Sequence, residues 1–241
     1  MDTRKEAVAL VTGASSGLGR EIAAALAESC RAVAVHYRKN AQGADETAAA
    51  VRARGSESAV FAADLKRKDG PARLVRAVER RFGRLDVLIN NVGPFLQKPW
   101  DRLSFEDWDT ILKGNLYAAY GCLQAALPGL RRRGWGRVVN IGYSRAEQLV
   151  AFPGILPYAA AKTALLLLTR TAAAGETASG ITVNMVSPGL LRGGLLPEGI
   201  DRRSEALGTF ADVAEAVRFL ISEKAAHISG TNLTVAGTWK M

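Results

Sequence analysis

Tyr158 and Lys162 stand four residues apart at the head of an apolar, helix-patterned stretch, Tyr158-Ala159-Ala160-Ala161-Lys162. A helix there places both side chains on one face. A tyrosine hydroxyl has a reference pKa of about 10 and is a poor acid or base at neutral pH. An ammonium beside it favours the phenolate and draws it toward the range useful for general acid–base chemistry. A Tyr-x3-Lys pair alone is usually structural, so its weight depends on what the rest of the chain places around it.

A second constellation lies near the N-terminus, where Thr12-Gly13-Ala14-Ser15-Ser16-Gly17-Leu18-Gly19 follows a short apolar run and leads into a helical pattern at about Arg20. Between a strand and a helix, glycines at these positions allow a tight turn, close approach of backbone N–H groups to a pyrophosphate, and close helix packing. The helix N-terminus adds positive dipole. Gly13, Ser15, Ser16, Gly17, Leu18 and Gly19 are therefore candidate nucleotide-binding residues. The next strand pattern ends His36-Tyr37-Arg38-Lys39. It offers no carboxylate to hold an adenosine ribose, while the Arg38 guanidinium can grip a 2′-phosphate through two parallel hydrogen bonds. These residues point to NADP(H).

The Gly-x3-Gly-x-Gly spacing, together with Asn90-Asn91-Val92-Gly93 and Tyr158-x3-Lys162, resembles the short-chain dehydrogenase/reductase family, including its 3-oxoacyl-(acyl-carrier-protein) reductases. The resemblance runs over nearly the whole chain and implies further roles. Asp64 and Leu65 match the adenine-binding position. Asn91 and Gly93 match the turn beside the cofactor, and Pro188 and Gly189 the turn beside the nicotinamide. Asn115, in Lys113-Gly114-Asn115-Leu116, matches a mid-helix asparagine that holds a water linking the lysine to solvent. Lys162 would also bond the nicotinamide ribose. Tyr158 would be the general acid/base for hydride exchange between the nicotinamide and a ketone or secondary alcohol.

The chain departs from the family pattern at three places. Relatives carry a serine about 13 positions before the tyrosine, donating a hydrogen bond to the substrate carbonyl, but position 145 is Arg. Ser144 is expected to fill that role after a small insertion. Alignment on the preceding strand instead selects Tyr143, and a third reading has neither. Gly193 stands where many relatives have a carboxamide-binding threonine. Ser179 stands where members serving the acyl carrier often have arginine. The first two departures motivate an alternative, a non-catalytic NADP-binding regulatory protein.

Positioning such groups requires a particular framework. Short apolar runs at Val8–Thr12, Ala32–His36, Ser58–Ala63, Val87–Asn90, Arg137–Ile141, Thr182–Ser187 and Asn232–Val235 alternate with helical patterns. That order predicts an α/β fold, a single Rossmann domain over residues 1–241 with a doubly wound, seven-stranded parallel sheet and helices on both faces. The Gly- and Arg-rich stretch around residues 190–207 is expected to be a substrate lid.

Composition narrows the classes. With 241 residues, 48% hydrophobic and 23% charged, the chain reads as one globular domain. The net charge of +9 includes the cluster Arg131-Arg132-Arg133, which lies just before a Gly-Trp-Gly turn in no nucleic-acid motif and is expected to be a solvated helix end. Cys30 and Cys122 supply neither a disulfide framework nor zinc spacing, so no metal is expected. The first apolar run is too short for a signal core or membrane span, and the expected setting is cytoplasmic. Expected partners are a small carbonyl or alcohol substrate and further copies of the chain, a dimer or a tetramer, with neither nucleic acid nor membrane. The C-terminal run Ile228–Gly237 resembles the family's closing strand, which often packs in a tetramer interface.

Overall fold

Short segments rich in Val, Ile, Leu and Ala, the inner ones apolar on both sides, suit strands of a sheet covered on both faces. In the computed structural model, which describes residues 6–196, 200–201, 203–204 and 206–237, these segments form one sheet. The strands are β1 (Val8–Val11), β2 (Ala32–Tyr37), β3 (Glu57–Ala62), β4 (Val87–Asn90), β5 (Gly136–Ile141), β6 (Ile181–Pro188) and β7 (Asn232–Val235). All neighbours are parallel, in the order β3-β2-β1-β4-β5-β6-β7. The expected fold class is therefore the observed one. β1, β4 and β5 are wholly buried, whereas the edge strands β3 and β7 are half-exposed.

Parallel pairing forces a crossover between consecutive strands, and helices supply them. On one face α1 (Gly17–Leu26) packs against α7 (Phe210–Ile221), joined in the core by β-strand residues such as Val11, Ile89 and Val186. On the other face α3 (Gly70–Phe82) packs against α5 (Ala118–Arg133), and α6 (Leu156–Glu176) lies against β6. α2 (Ala41–Ala53) covers β2 and β3. α4 (Phe105–Leu112) runs into α5 through a widened π turn, Lys113–Tyr117. The strand order reverses at β1/β4, which makes the carboxyl ends of β1 and β4 the place where a crevice opens.

The sequence reading is corrected at three points. α1 begins at Gly17 rather than near Arg20, because the positive φ of Gly17 (+53°) turns the chain directly into the helix. The stretch around 190–207 is not the only irregular connection. Residues 142–155 between β5 and α6 also form a loop, and its length accommodates the extra residue (one for Ser144, two for Tyr143) that offsets the spacing to Tyr158. The Arg131–Arg133 cluster is more than a solvated helix end. Arg131 Nε pairs with Glu176 at 3.0 Å, and Arg133 Nε with the fully buried Asp86 at 2.8 Å. Asp86 also takes Arg84 and the Val8 N–H, so these arginines neutralise carboxylates inside the fold.

The expected lid is closed at its base by a bridge between Leu191 and Gly208, with Arg192 N donating to Gly208 O at 2.8 Å. Leu195 is exposed between them. Residues 197–199, 202 and 205 of that stretch lie outside the described residues. Among the described residues, no helix is long and apolar enough to cross a membrane.

Candidate active site

The glycine-rich turn sits at the carboxyl end of β1 and is held from three sides. His36, at the end of β2, accepts the Gly13 N–H through Nδ1 (3.0 Å). Since that position must be an acceptor, the proton resides on Nε2, which donates to Ala63 O at 3.1 Å. Asn91, beyond β4, donates through Nδ2 to the carbonyls of Thr12 (2.9 Å) and Gly13 (3.2 Å). Arg20 donates to Ser15 O at 3.0 Å. The result is a rigid turn whose open side faces the crevice.

That open side fits an anion. Ser16 occupies the N-cap of α1 but makes no side-chain cap bond, so the N–H groups of the first turn are left for a ligand. Gly17 has positive φ, and a Cβ there would meet only Phe210, at 3.9 Å. At Gly19, by contrast, a Cβ would collide with the Gly13 carbonyl and the Ala14 backbone. The glycines therefore permit the turn and its close helix packing, as the spacing predicts. Beside the cradle, Arg38 is exposed at the end of β2. It lines a cavity of about 790 Å³ with Asp64, Arg67, Arg73, Arg76 and the β3 backbone. This cavity is basic and lies between β3 and α3, and neither the glycine turn nor Tyr158 lines it. Asp64 uses one carboxylate oxygen to accept Lys66 N at 3.0 Å, and Leu65 beside it is buried.

The second half of the site forms where β4, β5 and α6 meet. Lys162 is buried and its Nζ donates to Ile141 O at 2.7 Å. The same Nζ would be 3.0 Å from a Cβ on Gly93, and Asn115 Oδ1 would be closer still. Only glycine at 93 leaves room for both groups. Asn115 sits in the π turn, where its Nδ2 donates to Ile111 O (3.0 Å) and Pro94 O (2.9 Å). By taking the carbonyl of the residue four back, it disturbs the regular helical ladder, consistent with the π turn. Its buried Oδ1 has no hydrogen-bond partner and is aimed at the space Lys162 also faces.

Tyr158 lies one turn before Lys162, whose Nζ is 5.6 Å from its ring centroid. Its ring is flanked by Phe95 at 5.0 Å and Tyr143 at 5.5 Å, both edge-on. The electrostatics run against the sequence expectation of a stabilised phenolate. Burial, reinforced by Tyr143, pushes the Tyr158 hydroxyl up, and burial pulls Lys162 down from 10.5 to about 7. Desolvation is the leading cause for both groups. Tyr158 therefore keeps its proton, the state of a general acid.

Ser144 and Tyr143 both lie just past β5, where the ladder to β6 continues through Gly142 N to Val186 O and Ser144 N to Pro188 O, each 2.8 Å. Tyr143 packs against Tyr158, whereas no hydrogen bond or ring contact joins the Ser144 side chain to it. Pro188 ends β6, and Gly189 N donates to Val235 O at 3.0 Å. Gly189 approaches Ala236 too closely for a Cβ. Gly193 has φ +87° and faces the Phe210 ring, which accounts for a residue without a side chain there.

Sequence reasoning missed one buried polar chain. Asn90 Nδ2 donates to Asn140 Oδ1 (2.9 Å), Asn140 Nδ2 to Thr169 Oγ1 (2.9 Å), and Thr169 Oγ1 to Leu165 O (2.8 Å). It joins β4, β5 and α6, the elements that carry Gly93, Ile141 and Lys162. Its only signal in the sequence is an Asn inside each of two otherwise apolar strands. His36 likewise carries no signal in the sequence beyond its place at the end of the second strand pattern.

Comparison with known proteins finds a match over residues 13–238 to the family model described as enoyl-(acyl carrier protein) reductase. A 3-oxoacyl-(acyl-carrier-protein) reductase from Staphylococcus aureus is 34% identical over 238 residues, covering 95% of this chain and 96% of that protein. A short-chain alcohol dehydrogenase from Sinorhizobium meliloti superposes with a TM-score of 0.90 at 33% identity, covering 98% of this chain and 96% of that one. A short-chain dehydrogenase from Burkholderia cenocepacia, solved in complex with NADP, gives a TM-score of 0.90 at 32% identity, with 99% of both chains covered.

Proposed function

The chain belongs to the short-chain dehydrogenase/reductase family of oxidoreductases, and from that premise we propose that it is an NADPH-dependent carbonyl reductase. The observation that carries the reading is the convergence of Tyr158, Lys162 and Asn115 on the space beside Gly93, with the open glycine turn across the crevice.

Gly13, Ser15, Ser16, Gly17, Leu18 and Gly19 would hold the pyrophosphate. Arg38 would hold the 2′-phosphate, and Asp64 and Leu65 the adenine. Asn91, Gly93, Pro188 and Gly189 would frame the nicotinamide, with Lys162 on its ribose. NADP is supported by the absence of a carboxylate at the end of β2 and by the NADP complex of the Burkholderia cenocepacia relative. When bound, the reduced nicotinamide supplies a hydride to the carbonyl carbon.

Each side chain then has a defined task. Tyr158 gives its hydroxyl proton to the carbonyl oxygen as the C=O electron pair moves onto it, so the product is an alcohol. Lys162, held by Ile141 O, returns a proton to the phenolate left behind. Asn115 offers Oδ1 toward the water that recharges Lys162. A hydroxyl at the end of β5, from Ser144 or Tyr143, steadies the oxygen by hydrogen bonding. The loop around 190–207, with Leu190, Leu191, Leu195 and Leu196, covers the substrate as a lid of the single domain.

The substrate is a ketone, either a 3-oxoacyl thioester or a free small carbonyl compound. The Staphylococcus aureus relative favours the first, and Ser179 in place of the carrier-associated arginine favours the second. The exposed edge of β7 suits a homo-oligomer, a dimer or a tetramer, since open parallel edges are usually covered. The setting proposed is the cytoplasm.

The test is oxidation of NADPH and NADH by wild type and Tyr158→Phe with an acetoacetyl thioester, cyclohexanone, 2,3-butanedione and menadione. Turnover with NADPH that falls by about 10²–10⁴ in the variant is the expected result. Tight NADPH binding without turnover across the panel would favour the non-catalytic NADP-binding reading instead.

A further inference from the structure

The hydroxyl of Tyr143 is buried and has no hydrogen-bond partner among the described residues. A buried polar group left unmet costs about 1–3 kcal/mol, and in a folded protein such a group calls for an explanation. Its position supplies one. The ring is gripped on two sides, by Tyr158 at 5.5 Å and Phe152 at 6.1 Å, both edge-on, and Arg145 lies over the Phe152 ring, 4.8 Å from its centroid. Tyr143 also packs with Leu165, Leu166 and Met185. The side chain is thus fixed by packing against Tyr158, and its hydroxyl is left without a partner.

We propose that Tyr143 donates the second hydrogen bond to the substrate's carbonyl oxygen, so that the acceptor is held between two phenols. The inference rests on the reductase reading above. In the reaction, hydride adds to the carbonyl carbon and the C=O π pair moves to oxygen. The proton that neutralises this oxygen comes from Tyr158, while Tyr143 keeps its own. Burial pushes Tyr143 up to about 12, so the hydroxyl stays protonated and able to donate. Ser144 has its backbone N–H tied to Pro188 O, and no side-chain hydrogen bond among the described residues fixes its hydroxyl.

The experiment compares wild type, Tyr143→Phe and Ser144→Ala, using the probe of the four-member panel that wild type turns over fastest. Tyr143→Phe keeps every ring contact and removes only the unpartnered hydroxyl. Its melting temperature should be unchanged or higher and its NADPH dissociation constant within about threefold, while kcat falls by about 10²–10³. Ser144→Ala should lose at least about tenfold less kcat than Tyr143→Phe does. A Tyr143→Phe enzyme with near wild-type kcat, or a Ser144→Ala loss that comes within about tenfold of the Tyr143→Phe loss, would overturn the assignment while the reductase reading stands. A wild type that binds NADPH yet turns over none of the probes overturns both.

Discussion

The imidazole of His36 bridges the Gly13 N–H at 3.0 Å and the Ala63 carbonyl at 3.1 Å, so a neutral histidine ties the glycine turn of β1 to the ends of β2 and β3. Protonation at Nδ1 would set one N–H against another. Burial accordingly lowers His36 from 6.5 to about 4.

Acid should therefore loosen this clamp. Between pH 6.5 and 4 the unfolded chain binds a proton that the folded chain refuses, so stability falls as pH falls through that window. The loss attributable to His36 is at most about 3 kcal/mol. His36→Asn should flatten this part of the pH–stability curve, measured by urea denaturation at several pH values. An unaltered curve would show that His36 contributes no such linkage.

Arg38 is exposed and has no ion-pair partner among the described residues, which leaves its guanidinium free for a phosphate. Arg38→Ala should weaken NADPH binding by about tenfold or more, the scale of a charge-assisted hydrogen bond, and leave NADH binding nearly unchanged. Fluorescence titration with both nucleotides checks this. Equal losses for the two would place Arg38 away from the 2′-phosphate.

Lys162 is buried and lowered to about 7. If it supplies the proton for reduction, kcat/KM falls as pH rises through about 7 in the free enzyme, with a slope of one proton. Stability moves the other way. From pH 7 to 10.5 the unfolded chain holds the extra proton, so this group makes the fold more stable as pH rises. A pH–rate profile that is flat between 6 and 9 would exclude Lys162 as the group whose ionisation limits catalysis.

Thr169 sits at the end of the buried chain from Asn90 and Asn140. Thr169→Val preserves shape but strands an Asn140 N–H, and should cost about 1–3 kcal/mol. The urea midpoint should fall accordingly. Because this chain positions β5 and α6, kcat should drop in the same variant while NADPH affinity holds, and a stability loss with no kinetic change would confine it to a structural role.

Much of the molecule is written in local pattern. The strand and helix order follows from hydrophobic periodicity. The glycine turn follows from positions that permit positive φ or close packing, and Tyr158 and Lys162 share a face because four residues nearly complete a helical turn. The same locality explains what was missed. His36, Asn140 and Thr169 each have a partner 23 to 50 residues away along the chain, and no short-range pattern specifies which distant atoms will face them. The electrostatic balance at Tyr158 was likewise reversed by burial, a property of the assembled fold. The choice between neighbours Tyr143 and Ser144 is the sharpest case. Sequence spacing admits both hydroxyls, and only the packing of β5 against α6 decides which side chain comes to rest on Tyr158, because that packing buries one ring and leaves its hydroxyl without a partner.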